Sequence, residues 1–298
     1  MMSSRFRLSW IINEKNQDKL IKDFLKEQAI SRTALTDIKF KGGNILVNEK
    51  EVNVRYKLKL EDELVLYFPP EVPSEGVGGE NIPLDIVFED DYLLVVNKPP
   101  AMNTIPSREH PMGSLANALV GYYDKIGIAA TSHIVTRLDR NTSGLVLIAK
   151  HRHVHHLFSE AQKRGQVKRS YEAFASGVIS DDQGRIEEPI GRKDDSIIER
   201  EVRADGQYAC TNFQVFDRYD GFTHLELQLE TGRTHQIRVH MVFWGHPLLG
   251  DDLYGGETKL ISRQALHCRR LRFFHPFLLD EMEFSCELPE DMKRLING

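Results

Sequence analysis

Three short stretches of this 298-residue chain gather side chains able to do chemistry. The first is Thr136-Arg137-Leu138-Asp139-Arg140-Asn141-Thr142-Ser143-Gly144, which runs straight into the apolar stretch 145–149. Flanking cations favour the charged form of a carboxylate, so Asp139 is a candidate nucleophile or base. Asn141 to Gly144 are turn formers that could fix its loop. A solvated surface turn would carry the same residues, and this segment alone favours that plainer reading. The second stretch is Glu230-Thr231-Gly232-Arg233-Thr234-His235-Gln236-Ile237-Arg238-Val239-His240. A strand ends, glycine permits a turn, and a helix is expected from Thr234. Arg233 at its start adds to the positive end of the dipole, a favourable place for a carboxylate or phosphate. A capped helix with surface arginines is the bland alternative. His235 and His240 are five apart, a poor spacing for one helical face, so no metal site is expected. The third stretch, Gln166-Val167-Lys168-Arg169-Ser170-Tyr171, leads basic residues into a strand aromatic. Taken alone, Tyr171 reads as core.

The elements that must hold these stretches are legible in part. Apolar alternation predicts a hairpin from Ile86-Val87-Phe88 and Leu93-Leu94-Val95-Val96 around Asp90-Asp91, and a buried strand over 146–149. A helix over 151–165 ends at glycine. Strands follow over 167–177, with Tyr171, Ala173 and Ala175 on one face, and over 223–230. A helix over 234–244 places Ile237, Met241 and Trp244 on one stripe. Toward the start, Leu20, Ile21, Phe24 and Leu25 keep helical spacing, and Ser31 caps a second helix carrying Ala34, Leu35 and Ile38. Ile45 and Val47, then Val52 and Val54, alternate around Asn48-Glu49-Lys50-Glu51 as a hairpin. Leu64, Leu66 and Phe68 form a closing strand. A proline- and glycine-rich segment over 71–82 reads as a linker between residues 1–70 and 83–298. Strands mixed with helices indicate an α+β fold.

Composition sets the outer bounds. Apolar residues are 41% and charged residues 28% of the chain, values of an ordinary globular protein. No apolar run approaches the roughly 20 residues of a membrane helix, and the first 16 residues lack the apolar core of a signal peptide. Cys210, Cys268 and Cys286 are odd in number and form no CxxC pair, which argues against a disulfide framework or a cysteine zinc site. A reducing cytoplasm is the expected compartment. The net charge of −5 hides an asymmetry: residues 1–68 hold 13 Lys/Arg against 10 Asp/Glu, the remainder 26 against 34. A basic start on an acidic body hints weakly at nucleic acid.

Taken in order, the motifs carry more than any one of them. Pro83-Leu84-Asp85-Ile86-Val87, Val95-Val96-Asn97-Lys98-Pro99, Arg137-Leu138-Asp139-Arg140-Asn141-Thr142-Ser143-Gly144-Leu145, Arg169-Ser170-Tyr171, the stretch Gly232 to His240, and Gly245-His246-Pro247-Leu248-Leu249-Gly250-Asp251-Asp252-Leu253-Tyr254-Gly255 resemble the RluA-type family of pseudouridine synthases. Gln264-Ala265-Leu266-His267 and His275-Pro276 continue the likeness. Two departures stand beside the motifs: Thr136 where the family often has histidine, and Asn103-Thr104-Ile105-Pro106-Ser107 where many members have a His-Pro-Gly turn. Earlier, Ser31-Arg32, Ile38, Gly42-Gly43 and Val47-Asn48 resemble the S4 RNA-binding domain, which implies RNA contact through Arg32, Lys39 and Lys41.

The main resemblance implies a mixed, mainly antiparallel sheet with flanking helices and a central cleft. It also implies isomerisation of uridine in ribosomal or transfer RNA. The uracil N1–C1′ bond breaks, the base turns, and C5 joins C1′. The rearrangement is redox-neutral, so no cofactor and no metal are expected. Residue by residue, Asp139 falls on the catalytic aspartate, Tyr171 on the tyrosine that packs against the uracil, and Arg233 on the arginine that pairs with the aspartate. Ile237 falls on an apolar pocket residue and Arg137 on an arginine that holds RNA with its base extruded. Arg140 and Thr234 are expected beside the substrate. Whether Asp139 attacks C1′ or removes the C2′ proton stays open. Glycan cleavage would need a second carboxylate, and Asp251-Asp252, between Gly250 and Gly255, reads as a structural turn. A non-catalytic RNA-binding or ribosome-assembly factor is the other alternative, as is a protein-binding role for the first 70 residues. No membrane partner is expected, and a monomer is favoured.

Overall fold

The computed structural model describes residues 5–72 and 76–297. The chain begins with a four-stranded sheet. Strand β1 (Arg7–Ile11) precedes helices α1 (Ile21–Glu27) and α2 (Arg32–Phe40), and strands β2 (Asn44–Val47), β3 (Lys50–Glu51) and β4 (Glu63–Tyr67) complete it in the order β1-β4-β2-β3. Ser31 caps α2 as its residue type predicts, its Oγ accepting the Ala34 N–H at 3.1 Å. Ile21, Phe24 and Leu25 of α1 and Ile38 of α2 are buried against Ile45, Leu64 and Leu66 of the sheet. The hairpin is tighter than its alternation suggested. Asn48 and Glu49 both take positive φ (49° and 65°), the geometry of a two-residue turn, so Lys50 and Glu51 already pair with Val47 and Leu46. Val52 still donates its N–H to Ile45 O at 3.0 Å just beyond β3, and Val52 and Val54 pack on the core. Strand β1 was not anticipated.

A larger sheet of ten strands follows. Its elements are β5 (Ile86–Glu89), β6 (Leu93–Lys98), α3 (Leu115–Ile126), β7 (His133–Ile134), β8 (Ser143–Ala149), α4 (Arg152–Lys163), β9 (Lys168–Ser176) and β10 (Gln183–Glu187). A separate ribbon, β11 (Ile190–Arg192) with β12 (Arg200–Val202), comes next. Strands β13 (Cys210–Tyr219) and β14 (Phe222–Leu229), helix α5 (Gln236–Phe243), a 3₁₀ turn over Asp252–Tyr254, β15 (Leu266–His275), β16 (Asp280–Ser285) and α6 (Glu290–Asn297) complete the fold. The sheet runs β10-β13-β14-β9-β15-β8-β6-β5, with β16 on β15 and β7 on β8. Among the described residues its pairs are antiparallel except β15 with β8. The continuous apolar run predicted a strand covered on both faces, and every residue of β8 is buried. Helix α3, absent from the expectations, starts on a capping box in which Ser114 accepts from the Asn117 N–H at 3.2 Å and Asn117 reaches back to the Ser114 N–H at 3.1 Å. No described helix is long and apolar enough to cross a membrane.

The segment over 71–82 joins the two sheets, and Pro73, Ser74 and Glu75 lie outside the described residues. Its later half is tied to α3: Asn117 donates to the Gly78 carbonyl at 2.9 Å and accepts from the Glu80 N–H through its own carbonyl at 3.0 Å. The sheets also meet through histidines. Phe6 stacks on His151 at 3.9 Å, Phe68 on His153 at 5.4 Å, and Arg152 reaches Asp37 at 3.3 Å. Burial pushes His151 and His153 down to about 4, against only partial relief of His151 by Glu71. Between the ordinary 6.5 and about 4, the unfolded chain therefore takes up protons that the folded chain refuses. Stability contributed by neutral stacking is complete above that window and declines as pH falls through it. Urea unfolding between pH 7 and 4 is expected to show a steeper loss of stability for the native chain than for His151→Leu/His153→Leu. Equal slopes would mean that the two rings do not control docking of the sheets.

Candidate active site

The loop between β7 and β8 carries Asp139, and its backbone is held at four consecutive carbonyls. The Thr104 hydroxyl donates to Leu138 O at 2.6 Å, and the Thr142 N–H donates to Asp139 O at 3.1 Å. Lys98 Nζ reaches Arg140 O at 3.2 Å, and Arg263 Nη1 reaches Asn141 O at 2.9 Å. Lys98 ends β6 fully buried, its two other protons on Pro99 O and Met102 O, both at 2.9 Å. Burial pushes its ammonium down to about 7, opposed by the nearby charge of Asp139. The loop then enters β8 through Gly144. At its φ of +113° a side chain is disfavoured, and a Cβ there would lie 2.3 Å from Cys268 O on the parallel neighbour β15.

Asp139 meets its arginine, but the arginine is Arg238 rather than Arg233. Arg238 Nη1 donates to Asp139 Oδ2 at 3.2 Å. Arg233 sits exposed on the rim, its Nε on Tyr208 O at 2.9 Å. The displacement has a local cause. His235 takes a left-handed φ of 57°, so Thr234 and His235 form a turn and the helix starts only at Gln236. Gln236 locks that turn, accepting from the Arg233 N–H at 2.9 Å and the Thr231 hydroxyl at 2.7 Å while donating to Cys210 O at 2.9 Å. Arg238 is thereby carried inward on α5.

The guanidinium of Arg238 is only 6% exposed and is held by a second carboxylate. Its Nε and Nη2 donate to the two oxygens of Asp251 at 2.7 and 2.8 Å, and its plane lies 4.8 Å over the Tyr254 ring. Burial opposes its charge, yet Asp251 and then Asp139 more than offset this, leaving it strongly basic. Asp251, expected only to shape a turn, is fully buried. His235 lies 3.9 Å from Asp139 Oδ2 and shares a 2.8 Å hydrogen bond with the Tyr254 hydroxyl. Burial pushes its imidazole down, beyond what Asp139 restores. His240 turns elsewhere, toward Thr211 and Glu188 O. Lys98, Arg238, His235, Asp251 and Tyr254 were all missed as site residues. The available signal was Arg238 itself, a charge inside a stretch, Gln236 to Met241, that is buried throughout.

Asp139 and Arg238 open onto a cleft of about 790 Å³. Tyr171 and Ile237 line it as expected, with Leu266 beside them. Tyr171 is buried on β9, its hydroxyl accepting from Arg169 Nη1 at 3.4 Å, and burial raises that phenol far above its ordinary range. It therefore offers a ring rather than a proton. Arg137, Arg140, Thr234 and Arg233 form an exposed rim. Among the described residues the side chains of Arg137 and Arg140 have no hydrogen bond or ion pair. Arg32, Lys39 and Lys41 lie apart from this cleft on and beside α2. Lys39 reaches over the Phe40 ring at 5.3 Å and Lys41 pairs with Asp37 at 2.9 Å.

Residues 92–242 match the family model described as RNA pseudouridylate synthase. The chain is 52% identical over 278 residues to the uncharacterized RNA pseudouridine synthase YjbO of Bacillus subtilis (strain 168), covering 93% of this chain and 98% of that protein. It is 38% identical over 268 residues to the ribosomal large subunit pseudouridine synthase D of Yersinia pestis, covering 85% and 82% respectively. Human RNA pseudouridylate synthase domain containing 4 shares the fold at a TM-score of 0.58 and 24% identity, over 71% of this chain and 91% of that one.

Lys98 offers a test of how the loop is held. Lys98→Met removes a costly buried ammonium but strands the three carbonyls it serves, so a net loss of roughly 2 kcal/mol is expected in urea unfolding at pH 7. Unchanged stability would mean that Thr104 and Arg263 suffice.

Proposed function

This chain belongs to the RNA pseudouridylate synthase family and is an RNA pseudouridine synthase, an isomerase, and we propose that Asp139 is its catalytic group and ribosomal RNA its substrate. The observation that carries the assignment of Asp139 is its geometry. One oxygen is taken by Arg238, while Oδ1 has no hydrogen bond or ion pair among the described residues, and the residue lines the cleft. Attack on C1′ and removal of the C2′ proton both need such an oxygen, so either route runs from the same position. The N1–C1′ bond breaks, the uracil turns, C5 joins C1′, and the proton on C5 ends on N1. These steps conserve electrons and use only the bound nucleoside and this carboxylate.

A uridine stacked in a helix is out of reach of the cleft, so the target nucleotide is single-stranded or flipped. Unstacking costs a few kcal/mol, and stacking on the Tyr171 ring returns about 1–3 kcal/mol. Ile237 supports the base from α5. Arg137 and Arg140, whose side chains have no partner among the described residues, are assigned to hold flanking phosphates, and Thr234 stands on the same rim. The preference for ribosomal over transfer RNA rests on the Yersinia pestis relative, whose name places it on the large ribosomal subunit. The N-terminal sheet unit, through Arg32, Lys39 and Lys41 on and beside α2, is assigned as an S4-like RNA-binding domain. Three unpaired cysteines suit work in the cytoplasm.

Asp139→Asn is expected to abolish pseudouridine formation in an unmodified large-subunit ribosomal RNA transcript, with RNA affinity kept within about threefold. Measurable turnover in that variant would falsify the assignment. The arginines can be separated by kinetics. Arg238→Lys loses the fork that spans Asp251 and Asp139, so kcat should fall at least about tenfold. Arg233→Lys should keep kcat close to the native value. Asp251→Asn, which leaves a buried guanidinium half-paired, should lower kcat and destabilise the fold by about 3 kcal/mol. A larger kcat loss for Arg233→Lys than for Arg238→Lys would reverse the order proposed here.

A further inference from the structure

A second crevice, of about 870 Å³, lies between the two sheet units. One wall is α1 with the start of α2, presenting Lys22, Lys26 and Arg32. The other is α4 with the residue that caps its C-terminus, where His156, Glu160 and Arg164 follow one another at four-residue spacing. Among the described residues, the side chains of Lys22, Lys26, Arg32 and Arg164 have no hydrogen bond or ion pair. Of the two acids nearby, Glu160 is taken by Lys163 at 2.7 Å, which leaves Asp23. Phe274 lies in the crevice with half its surface exposed and no ring partner among the described residues.

Beside the crevice lies the exposed face of β15. Arg272 is exposed on the same face of β15 as Phe274, and it stands directly opposite Lys168 of β9. Like charges facing across a strand pair are destabilising. Glu283 lies opposite Arg272 on its other side without forming an ion pair. Only the C-terminal turn of α4 separates this surface from the catalytic cleft: Ser159 and Lys163 line the cleft, Glu160 and Arg164 the crevice. Gln166 borders the crevice and Val167 the cleft.

We infer that this track is a second RNA site. It binds the backbone of a segment flanking the target uridine, with phosphates on Lys22, Lys26, Arg164 and Arg272 and one unstacked base on Phe274. Unpaired cations bordering one concave surface, a repulsive cross-strand pair and an isolated exposed ring are together the features of a groove for single-stranded nucleic acid. An acidic protein would use the cations but leaves the lone ring unexplained. The inference rests on the RNA reading given above and deepens it: the chain grips RNA between its units, not only at the active cleft.

The test is filter binding of an unmodified large-subunit ribosomal RNA transcript across a salt series. For the combined variant Lys22→Gln, Lys26→Gln, Arg164→Gln, Arg272→Gln, affinity should fall at least about tenfold, and the slope of log affinity against log salt should flatten by about 3. Phe274→Ala should weaken binding about tenfold with the slope unchanged, because stacking releases no counterions. A control with the same change in net charge, Lys59→Gln, Lys125→Gln, Lys259→Gln, Arg294→Gln, should bind as the native chain does. Native affinity and slope in the first variant would overturn the inference, as they would if the track serves an acidic protein. An equal loss in the control would overturn it too, by reducing the effect to overall charge. Binding is read without turnover, so this result and that for Asp139→Asn can fail independently.

Discussion

The site depends on one guanidinium shared unequally between two carboxylates. A buried arginine is tolerable only when its donors are met, since desolvating the charge costs several kcal/mol. Asp251 meets that requirement with two short hydrogen bonds and no exposure to water, and Tyr254 covers the face of the plane. Most of the charge of Arg238 is therefore committed before Asp139 is considered. What Asp139 receives is one contact of 3.2 Å from Nη1, enough to fix the direction of the carboxylate while its other oxygen stays open. A fully bidentate grip on Asp139 would hold it more tightly and offer it less to a substrate. The second carboxylate thus sets how firmly the first is held, without touching anything that reacts.

Orientation of the side chain is useful only if the backbone beneath it is equally fixed. Loops position catalytic groups well when a rigid frame over-determines them. Here the frame comes from four directions: Thr104 from the segment after β6, Lys98 from the end of β6, Thr142 from the loop itself, and Arg263 from the approach to β15. Gly144 makes the arrangement possible by letting β8 pass against the Cys268 carbonyl at the parallel junction. Burying the Lys98 ammonium among carbonyls is costly in itself, and the downward displacement of its pKa records that cost. The result is a loop that needs no substrate to take its shape.

Legibility in the sequence followed how local each cause is. Asp139, Tyr171 and Ile237, which line one cleft, stood out because their motifs sit beside strong strand or helix periodicity, which also gave β5, β6, β8, β9, β14 and α4. The arginine was misassigned because its place depends on a single torsion. A left-handed residue at His235 delays the helix by two positions, and histidine, though commoner than most residues at positive φ, still adopts it too rarely for the sequence to announce it. Asp251 was passed over for a different reason. Its glycine-flanked setting reads as a turn, and it is one, but burial against a helix 13 positions earlier is a tertiary fact. Helix α3 hid because its first turn is signalled by Ser114 and Asn117 rather than by the usual serine and glutamate. The β2–β3 turn is two residues shorter than expected because positive φ at both Asn48 and Glu49 closes it early.

An overall charge of −5 is by itself ill-suited to gripping a polyanion, and the resolution lies in which charges are already spent. Several acids are neutralised internally: Asp251 by Arg238, Asp291 by Arg263 and Glu172 by Arg269. Arg137 and Arg140 at the cleft and Lys22, Lys26 and Arg164 in the crevice have no such partners among the described residues. A ribose-phosphate chain responds to the field within about 10 Å at ordinary ionic strength, not to the total. Net charge then keeps the protein soluble and discourages indiscriminate adhesion to nucleic acid. On the reading proposed above, the unpaired cations, being few and localised, restrict tight binding to RNA whose shape reaches several of them at once.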